Sequence, residues 1–346
     1  SPAIPSESAV AATLKLDEAI DSILEQLNQV VPYDSASVQL LQDDKLKIVG
    51  QHGFKNPASV LGMTFALSDD NPNSIVLDQR KTHIIKDAPK TYQEFNKAPH
   101  SHIHGWMGVP LVVHDRVIGM LALDSNSPDR FNTEHSRLVS AFAAQVAIAL
   151  DNANLYEETH RLAIMDSLTG IYNRRQFMVL AQLEMNRAAR YQRPLSIVMM
   201  DIDHFKRVND NFGHLVGDQV LHDIAQICQH NLREIDIFGR YGGEEFAILL
   251  PETPSFIDDG KKNAAKPNDD PSAKAVAGRL CQLVHDSTIE TKKGPIKITA
   301  SYGVVGLRHE DETIETLLDR ADTALYVAKQ RGRNQVAVWT EIEKTS

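Results

Sequence analysis

Residues 236–250 read Asp-Ile-Phe-Gly-Arg-Tyr-Gly-Gly-Glu-Glu-Phe-Ala-Ile-Leu-Leu, and this stretch decides the fold of the second half of the chain. Two apolar-rich runs flank Gly242 and Gly243, which predicts a β-hairpin with the glycines at its turn. Because glycine has no side chain, a ligand phosphate can approach this backbone closely. Glu244 and Glu245 follow the turn. Taken alone, they are equally compatible with a charged, solvated sheet edge.

A second strand is predicted close to this hairpin. Residues 195–200 read Leu-Ser-Ile-Val-Met-Met, a nearly continuous apolar run typical of a central buried strand, and Asp201 follows directly. A carboxylate at such a place is costly unless a cation accompanies it. We therefore expect Asp201 to converge with the two glutamates of the hairpin on a Mg²⁺ ion. Asp203 has an alternative interpretation as the N-cap of a helix over 204–209.

The first half of the chain alternates short β-rich runs with turns. Strands are predicted over 35–41 and 46–49, and again over 107–113 and 117–123, so that each pair forms a hairpin. An amphipathic helix over 16–30 precedes them. The pattern predicts an antiparallel sheet flanked by helices, of α+β class.

A long helix is predicted between the two halves, because residues 134–164 contain neither proline nor glycine. Its part 138–150 is expected to cover the first sheet. The part after Asp151 is also compatible with a parallel coiled coil between two copies of the chain. Two sets of residues recur every seven positions along this helix: Phe142, Ala149, Tyr156 and Ala163, and Val146, Ala153 and His160.

The length and charge agree with this organisation. The chain has 346 residues, and about 150 residues per domain gives two domains. We expect a first domain over 1–152, a helical linker over 153–165 and a second domain over 166–346. The net charge of −10 argues against a surface that holds polymeric nucleic acid, since such binding needs many cationic side chains.

Other features concern the cellular setting. No run approaches 18 consecutive apolar residues, so no membrane segment is predicted. The two cysteines, Cys228 and Cys281, fit a reducing, cytoplasmic location. The chain begins Ser-Pro-Ala-Ile-Pro, without an initiator Met or an apolar signal core. We expect a fragment or a processed chain, which leaves an upstream domain or anchor open.

Several motifs of the second half agree in order and spacing with one family. Beside Gly242 to Phe246 they are Asp166 to Arg175, Asp201 to Asp218, Ala300 to Val304 and Ala324 to Asn334. Over residues 165–340 the chain resembles the GGDEF family of diguanylate cyclases, in the Glu variant of the signature. The resemblance implies a ferredoxin-like βαββαβ sheet with additions. It also implies condensation of two GTP molecules into cyclic di-GMP and two pyrophosphates, by two catalytic domains that meet in a homodimer.

The resemblance also implies a metal site and catalytic residues. Mg²⁺ or Mn²⁺ is expected on Asp201, the Ile202 carbonyl and Glu244, with Glu245 as an additional ligand. Glu244 is a candidate for taking the proton of the attacking 3′-hydroxyl, although metal ligation lowers its basicity. Lys329 is expected to act with these residues on the transferring phosphate.

The family's contacts with GTP fall on further residues. The backbone amides of Phe205 and Lys206, at a helix start, suit the β and γ phosphates, and Gly242 and Gly243 offer their backbone. Lys329 and Arg333 lie four apart and would project from one helical face toward the same phosphates. Alternatively, these cations simply complement a helix dipole.

Guanine selection is carried over to Asn209 and Asp218. A carboxylate accepts from both N1–H and the exocyclic amine of guanine, a pattern that adenine lacks. Asp218 has a second interpretation as the N-cap of a helix that begins at Gln219 and runs to Leu232.

Regulation by the product is expected at one further place. Arg233 and Asp236 have the spacing of the family's inhibitory RxxD site, which binds the cyclic di-GMP product; alone, they would be a surface ion pair worth under about 1 kcal/mol.

Residues 255–273, rich in Pro, Asp and Lys, depart from the family pattern and read as a surface insertion that leaves the catalytic assignment intact.

The first half resembles the GAF family over residues 15–155, most clearly in Gly108 to Leu111 and in Val117 to Asp124. The resemblance implies a sensory domain that binds a small ligand and acts on the second domain through the linker, but it identifies no ligand. A Cys-linked bilin is not expected, because neither cysteine lies here. His100, His102 and His104 alternate, as in a transition-metal site or an exposed polar loop.

Two classes of function stay open at this stage. One is the enzyme, and the other is a receptor that holds GTP or cyclic di-GMP without turnover. A broken carboxylate set would favour the receptor, and Asp201, Glu244 and Glu245 are all present.

Overall fold

The structure is a computed structural model that describes residues 7–67, 71–97, 100–256, 272–308 and 313–343. The chain divides into two compact units, residues 1–159 and 160–346. Each unit mixes helices with one large sheet of six strands.

The first unit is built on an antiparallel sheet. Its elements are α1 (Glu7–Val30), β1 (Ser35–Gln42), β2 (Lys45–His52), α2 (Pro57–Val60), β3 (Thr64–Ala66), α3 (Pro72–Gln79), β4 (His83–Ile85), α4 (Ala88–Thr91), a 3-10 helix (Gln93–Asn96), β5 (Gly105–Val113) and β6 (Arg116–Ser125). The strand order is β3-β2-β1-β6-β5-β4, with every neighbouring pair antiparallel. The two predicted hairpins, β1–β2 and β5–β6, are confirmed.

The two faces of this sheet have different chemistry. Ala36 and Val38 of β1 face a core that includes Leu24 and Leu27 of α1. The intervening residues of β1 point to the opposite face, because side chains alternate along a strand. They include Ser37 and Gln39, which are also buried. A buried polar strand face is unusual.

The long helix is confirmed as α5 (Thr133–Ile164). Asn132 caps it by accepting from the His135 N–H at 2.9 Å. Val139 and Val146 are fully buried in the core of the first unit, so the first part of the helix covers the sheet as expected. Among the described helices, α5 alone is long and apolar enough to cross a membrane by length and composition. The part of the helix from Val139 to Leu150 contributes to the core of the first unit.

The second unit contains α6 (Arg174–Tyr191), α7 (Phe205–Phe212), α8 (His214–His230), α9 (Ala273–Asp286), α10 (Ile314–Gln330) and α11 (Trp339–Glu343). Its strands are β7 (Tyr172–Asn173), β8 (Leu195–Ile202), β9 (Ile237–Arg240), β10 (Glu245–Pro251), β11 (Ile289–Thr291), β12 (Gly294–Ile296), β13 (Ala300–Gly306) and β14 (Val336–Val338). The large sheet has the order β14-β13-β8-β10-β9-β7. Its centre, β13-β8-β10-β9, is the ferredoxin-like order of a βαββαβ unit, so the predicted fold is confirmed, with β7 and β14 as additions.

Both faces of this sheet are covered by helices. All eight residues of β8 are buried. Val198 and Met200 pack with α8 and α9, whereas Ile197 and Met199 pack with α6 and α10. This double coverage explains the continuous apolar run, since a strand in a two-sided core has no solvent-facing positions.

Most of the expected insertion, residues 257–271, lies outside the described residues. Its described flanks are close together. The Ala273 N–H donates to the Pro254 carbonyl at 2.8 Å, and the Lys274 N–H donates to the Ser255 carbonyl at 3.0 Å. The chain therefore re-enters the fold beside the point at which it leaves.

Candidate functional site

Three strands place an acidic residue at the centre of the second sheet. Asp201 lies within β8, opposite Glu245 of β10 on one side and Ser301 of β13 on the other. The prediction that Asp201 stands just beyond the strand is wrong, because pairing with both neighbours continues β8 through Ile202. The side chain of Asp201 is only 9% exposed. The fold thus holds a carboxylate in a largely buried position.

The electrostatics of this corner favour a cation. Lys329 of α10 approaches Asp201, with Nζ 2.8 Å from Oδ2. Burial nevertheless raises the pKa of Asp201. Burial, together with the charge of Asp201, also raises the pKa of Glu244. The carboxylates of Asp201 and Glu244 are therefore close enough to repel one another.

The double-glycine turn shapes the other side of the corner. The N–H groups of Tyr241 and Gly242 donate to the Glu245 carbonyl at 2.8 and 3.1 Å, which closes the hairpin. A Cβ on Gly242 would collide with the Glu245 carboxylate, whereas Gly243 borders open space. A side chain at position 242 would therefore displace the Glu245 carboxylate. The carboxylate of Glu245 folds back over the turn.

The residues of the corner fit a divalent cation that also holds phosphates. In the part of the chain that the structure describes, no group of three or more His, Cys, Asp and Glu side chains forms a metal cage. Mg²⁺ commonly binds through one or two carboxylates and completes its shell with substrate phosphates and water. Asp201 and Glu244 supply two such carboxylates. The parts of Ile202 and Glu245 in a metal shell stay predictions.

Asp203 has a structural role that the sequence did not show. Its carboxylate accepts from Thr299 Oγ1 and Ser301 Oγ, each at 2.7 Å, and from the Asn334 N–H at 3.0 Å. It does not cap the following helix, because His204 is the N-cap residue and α7 begins at Phe205. The two aspartates of the Asp-Ile-Asp sequence therefore differ, since Asp203 is saturated with hydrogen bonds within the fold.

The expected phosphate amides lie at the start of α7. Phe205 and Lys206 are its first two residues, whose N–H groups have no partner within a helix. His204 takes a left-handed conformation, with φ of 59°, and turns the chain from β8 into the helix. Two backbone donors thus lie a few residues beyond Asp201 in the chain.

The expected guanine residues are brought together. The carboxamide oxygen of Asn209 presses against Gly217, where a Cβ would collide with it. Asp218 follows Gly217 and is exposed. The interpretation of Asp218 as an N-cap is wrong: α8 begins at His214, with Gly213 as its N-cap, so Asp218 lies in the second turn. Its carboxylate is therefore not used as an N-cap.

The sequence predicted that Lys329 and Arg333 share a helical face, and this prediction is wrong. The helix α10 ends at Gln330. Gly332 and Arg333 then take positive φ angles of 114° and 65°, and the Arg333 N–H donates back to the Ala328 carbonyl at 3.1 Å. Burial raises the pKa of Asp201, and the positive charge of Arg333 partly opposes that rise. Both cations approach the same carboxylate, Lys329 from the helix and Arg333 from the loop after it.

Sequence reasoning missed one residue of the hairpin. Arg240, the last residue of β9, donates to the Gly243 carbonyl from Nη2 at 2.7 Å and from Nε at 3.2 Å. Its Nη1 also pairs with Asp166 at 3.2 Å. Arg240 thus fixes the turn from behind. The available signal was a lone cation two positions before the double glycine.

The expected product site is an ion pair within the fold. Arg233 Nη2 lies 2.8 Å from Asp236 Oδ1, and the Arg233 backbone N–H donates to Asp236 Oδ2 at 2.8 Å. Arg233 also donates to Thr253 Oγ1 at 2.7 Å. Asp236 is 1% exposed and Arg233 49%. The interpretation of Arg233 and Asp236 as a simple surface ion pair is therefore wrong, because Asp236 is buried.

The alternating histidines of the first unit do not form a metal site in the described residues. His100 packs against Phe65 and Phe95 at ring distances of 6.0 and 6.4 Å. His100 and His102 both border a cavity. His100 is half-buried there, whereas His102 is exposed in a turn, so the interpretation as an exposed polar loop holds for His102.

Comparisons with known proteins agree with both halves of the chain. Residues 163–335 match the family model described as "Diguanylate cyclase, GGDEF domain". Residues 13–151 match a model described as "GAF domain".

The chain is similar to several curated proteins. Diguanylate cyclase A of Treponema denticola is 33% identical over 66% of this chain and 58% of its own length. Response regulator PleD of Caulobacter vibrioides is 37% identical over 53% of this chain and 37% of its own. The chain thus spans less than two thirds of the length of these relatives. A solved structure, the coiled coil and GGDEF domain of DgcB from Caulobacter crescentus in complex with c-di-GMP, is 25% identical over 58% of this chain and 98% of its own, with a TM-score of 0.49.

Proposed function

Because its family model covers half of the chain, this protein belongs to the GGDEF family of diguanylate cyclases, and we propose that it condenses two GTP molecules into cyclic di-GMP with release of two pyrophosphates. The single observation that best supports this activity is the corner of Asp201 and Glu244 beside the double-glycine turn. Burial and the charge of Asp201 raise the pKa of Glu244, and two neighbouring carboxylates are suited to a metal–triphosphate complex.

The charge of the reacting phosphate is balanced by this corner. Asp201, Glu244 and the Ile202 carbonyl would hold Mg²⁺ or Mn²⁺, with Glu245 as the further ligand. When bound, the divalent cation neutralises the charge that develops on the transferring phosphoryl group. Lys329, already 2.8 Å from Asp201, is placed to move its ammonium group to a phosphate oxygen.

The nucleotide is oriented by residues on both sides of the corner. The first amides of α7, at Phe205 and Lys206, donate to the β and γ phosphates, and Arg333 adds a guanidinium from the loop after α10. Asn209 and the exposed Asp218 read guanine, since a carboxylate pairs with its two adjacent N–H groups. The open backbone at Gly243 leaves room for the triphosphate.

Glu244 is the candidate base for the 3′-hydroxyl. Burial and the neighbouring Asp201 raise the pKa of its carboxyl group. A carboxylate with a raised pKa takes a proton more readily than an ordinary one. The same residue can hold the metal through its other oxygen.

The reaction requires two catalytic domains, since each GTP must attack the other. We propose a homodimer joined along α5. The seam predicted from the sequence is wrong at Val146, which is buried in the core of the first unit. Exposed Ile148, Leu155 and Leu162 recur every seven residues on the same helix and form an apolar stripe suited to a coiled coil instead. Sedimentation should give a dimer, and Leu155→Glu with Leu162→Glu should give a monomer that lacks turnover.

The first domain is proposed to regulate the second through this helix. A ligand-dependent change in α5 would alter how two catalytic halves meet. Insertion of one or two residues near Asn154 should then change the rate while the affinity of a single catalytic domain for GTP stays the same. Equal rates across such insertions would exclude the linker from regulation.

Product feedback is proposed at Arg233 and Asp236. Arg233 is half-exposed, so its guanidinium can also donate to a guanine edge or a phosphate of cyclic di-GMP. Arg233→Ala should weaken inhibition by cyclic di-GMP at least tenfold, whereas Arg279→Ala, an exposed arginine of α9, should not. Equal inhibition of both variants would exclude the site.

The activity is tested by incubating the chain with GTP and Mg²⁺ and identifying the products. The proposal expects cyclic di-GMP and pyrophosphate in a ratio of one to two, and loss of both when EDTA is added. GTP that binds and is recovered unchanged would instead indicate a nucleotide receptor. We place the protein in the cytoplasm, where GTP is available and where the two buried free cysteines stay reduced.

A further inference from the structure

The first unit encloses a cavity of about 370 Å³, within the usual range of small-molecule sites. It lies on the face of the sheet opposite α1. Its floor is formed by Ser37 and Gln39 of β1, Ala122 and Asp124 of β6, and Trp106 of β5. The 3-10 helix contributes Phe95 to its wall, and the start of α3 contributes Pro72 and Asn73.

The floor of this cavity is polar and yet shielded from water. Ser37, Gln39 and Asp124 are at most 6% exposed. Alternation along β1 would ordinarily direct such residues to solvent. The Gln39 carboxamide oxygen is buried without a hydrogen-bond partner, although its nitrogen donates to Ser37 Oγ at 2.9 Å. Burial of an unpaired amide oxygen is costly. A hydrogen-bond donor on a ligand in the cavity would satisfy the Gln39 oxygen and remove that cost.

Asp124 carries the charge of the floor. One of its oxygens accepts from Ser35 Oγ at 2.9 Å, and burial raises the pKa of the carboxyl group to about 7. An ionised carboxylate in this position gains most from a cationic partner, because few water molecules reach it.

The wall excludes anions. The described lining residues include two acids, Asp124 and Glu94, and neither lysine nor arginine. His100 also lines the cavity, and burial lowers its pKa, which keeps the imidazole neutral at pH 7. A phosphate or carboxylate ligand would therefore find no permanent positive charge here and would face a buried carboxylate.

Aromatic rings complete the lining. Phe54, Phe65, Phe95 and Trp106 all border the cavity. Aromatic faces attract organic cations through their quadrupoles, and they also bury apolar groups. The wall thus suits a ligand that has a cationic head and an apolar or aromatic body.

We propose that this cavity binds a small organic cation with N–H donors, an amine or amidinium, whose charged head lies between Asp124 and Gln39 and whose body lies against Trp106 and Phe95. A cyclic nucleotide or another phosphorylated ligand is excluded by the same chemistry. This inference identifies the class of ligand for the sensory domain. Its test measures binding, so it stands or fails independently of the proposed cyclase activity.

The test is calorimetric titration of the full chain with matched probes. Benzamidinium and phenethylammonium are the cations, benzamide is the neutral analogue, and benzoate and cyclic GMP are the anions. The proposal expects at least one cation to bind at least tenfold more tightly than benzamide, and no measurable binding of the anions to the first domain. A chain with Arg233→Ala and Asp218→Asn, which lacks two proposed guanine contacts of the second domain, is the control for the cyclic GMP titration.

Variants then locate the site. Asp124→Asn preserves shape and the hydrogen bond from Ser35 while it removes the charge, and it should weaken cation binding at least tenfold. Asp115→Asn is the matched control, because Asp115 lies in the exposed turn between β5 and β6 with φ of 60°, which asparagine also tolerates. Failure of both cations to bind, tighter binding of an anion, or equal cation affinity in both variants would each overturn the proposal. The comparison of probes with the unaltered chain keeps the proposal testable should Asp124→Asn fail to fold.

Discussion

Asp203 and Asp201 stand two residues apart, and the structure predicts opposite consequences for their loss. Asp203→Ala removes the acceptor of three hydrogen bonds, one of them from Ser301, which is fully buried. Hydrogen bonds to a charged group contribute about 1.5–3 kcal/mol each. Two of the three donors, on Thr299 and Asn334, have some access to water. We therefore expect a loss of about 3–5 kcal/mol in the free energy of unfolding of the second domain.

Asp201→Ala should cost far less stability. Among the described residues, Asp201 forms its ion pair with the partly exposed Lys329, and burial already opposes the charge of Asp201. The net loss should be about 1 kcal/mol or less. Turnover should nevertheless fall about 1,000-fold or more, because several kcal/mol of charge stabilisation in the transition state would be lost.

Urea unfolding followed by tryptophan fluorescence separates the two effects. The chain has two tryptophans, Trp106 in the first unit and Trp339 in the second. In a Trp106→Phe background, Trp339 reports the second domain alone, and linear extrapolation gives the free energy of unfolding. Equal stability losses in the Asp201→Ala and Asp203→Ala variants would refute the division of roles. So would an Asp203→Ala protein of unchanged stability.

Three further predictions concern other parts of the molecule. Arg240→Ala should lower kcat about tenfold with little change in KM for GTP, because the Gly243 carbonyl loses the donors that fix the turn; steady-state kinetics check this, and a change in KM alone would contradict it. Gly217→Ala should raise KM for GTP about tenfold, because the new Cβ displaces Asn209, and the thermal midpoint should fall by only a few degrees. Burial raises the pKa of Asp124 to about 7, against about 3.9 in an unfolded chain, so the folded first domain binds more protons between these values and loses stability, by up to about 4 kcal/mol, as pH rises through them. Asp124→Asn should abolish this pH dependence in unfolding experiments at pH 4 and pH 8, and an unchanged dependence would contradict the assignment.

Local patterns in the sequence were sufficient for the two hairpins of the first unit and for β8, β9 and β10 of the second, and therefore for the corner of Asp201 and Glu244. The apolar run before Asp201 predicts the end of β8, and the glycine pair before Glu244 predicts the start of β10. Antiparallel pairing of β8 with β10 then brings those ends together. Such features depend on neighbours in the chain, which a sequence displays directly.

Long-range hydrogen bonds were not predictable in this way. Asp203 depends on Ser301 and Asn334, which lie 98 and 131 residues further along the chain. The wrong prediction for Arg333 has a local cause. The four-residue spacing assumed that the helix continues to Arg333, whereas the helix ends before Gly332. The buried polar face of β1 was also missed, because alternation alone indicates a solvated face and does not show what covers it.

The most direct test of the metal corner measures Mn²⁺ affinity by electron paramagnetic resonance, in the presence of 3′-deoxy-GTP, which cannot cyclise. Asp201→Asn and Glu244→Gln should each weaken Mn²⁺ binding at least tenfold. Asp322→Asn, an exposed residue of α10, should leave the affinity unchanged. Equal Mn²⁺ affinity in the unaltered chain and all three variants would contradict the assignment of the Asp201 and Glu244 carboxylates to a metal that holds GTP.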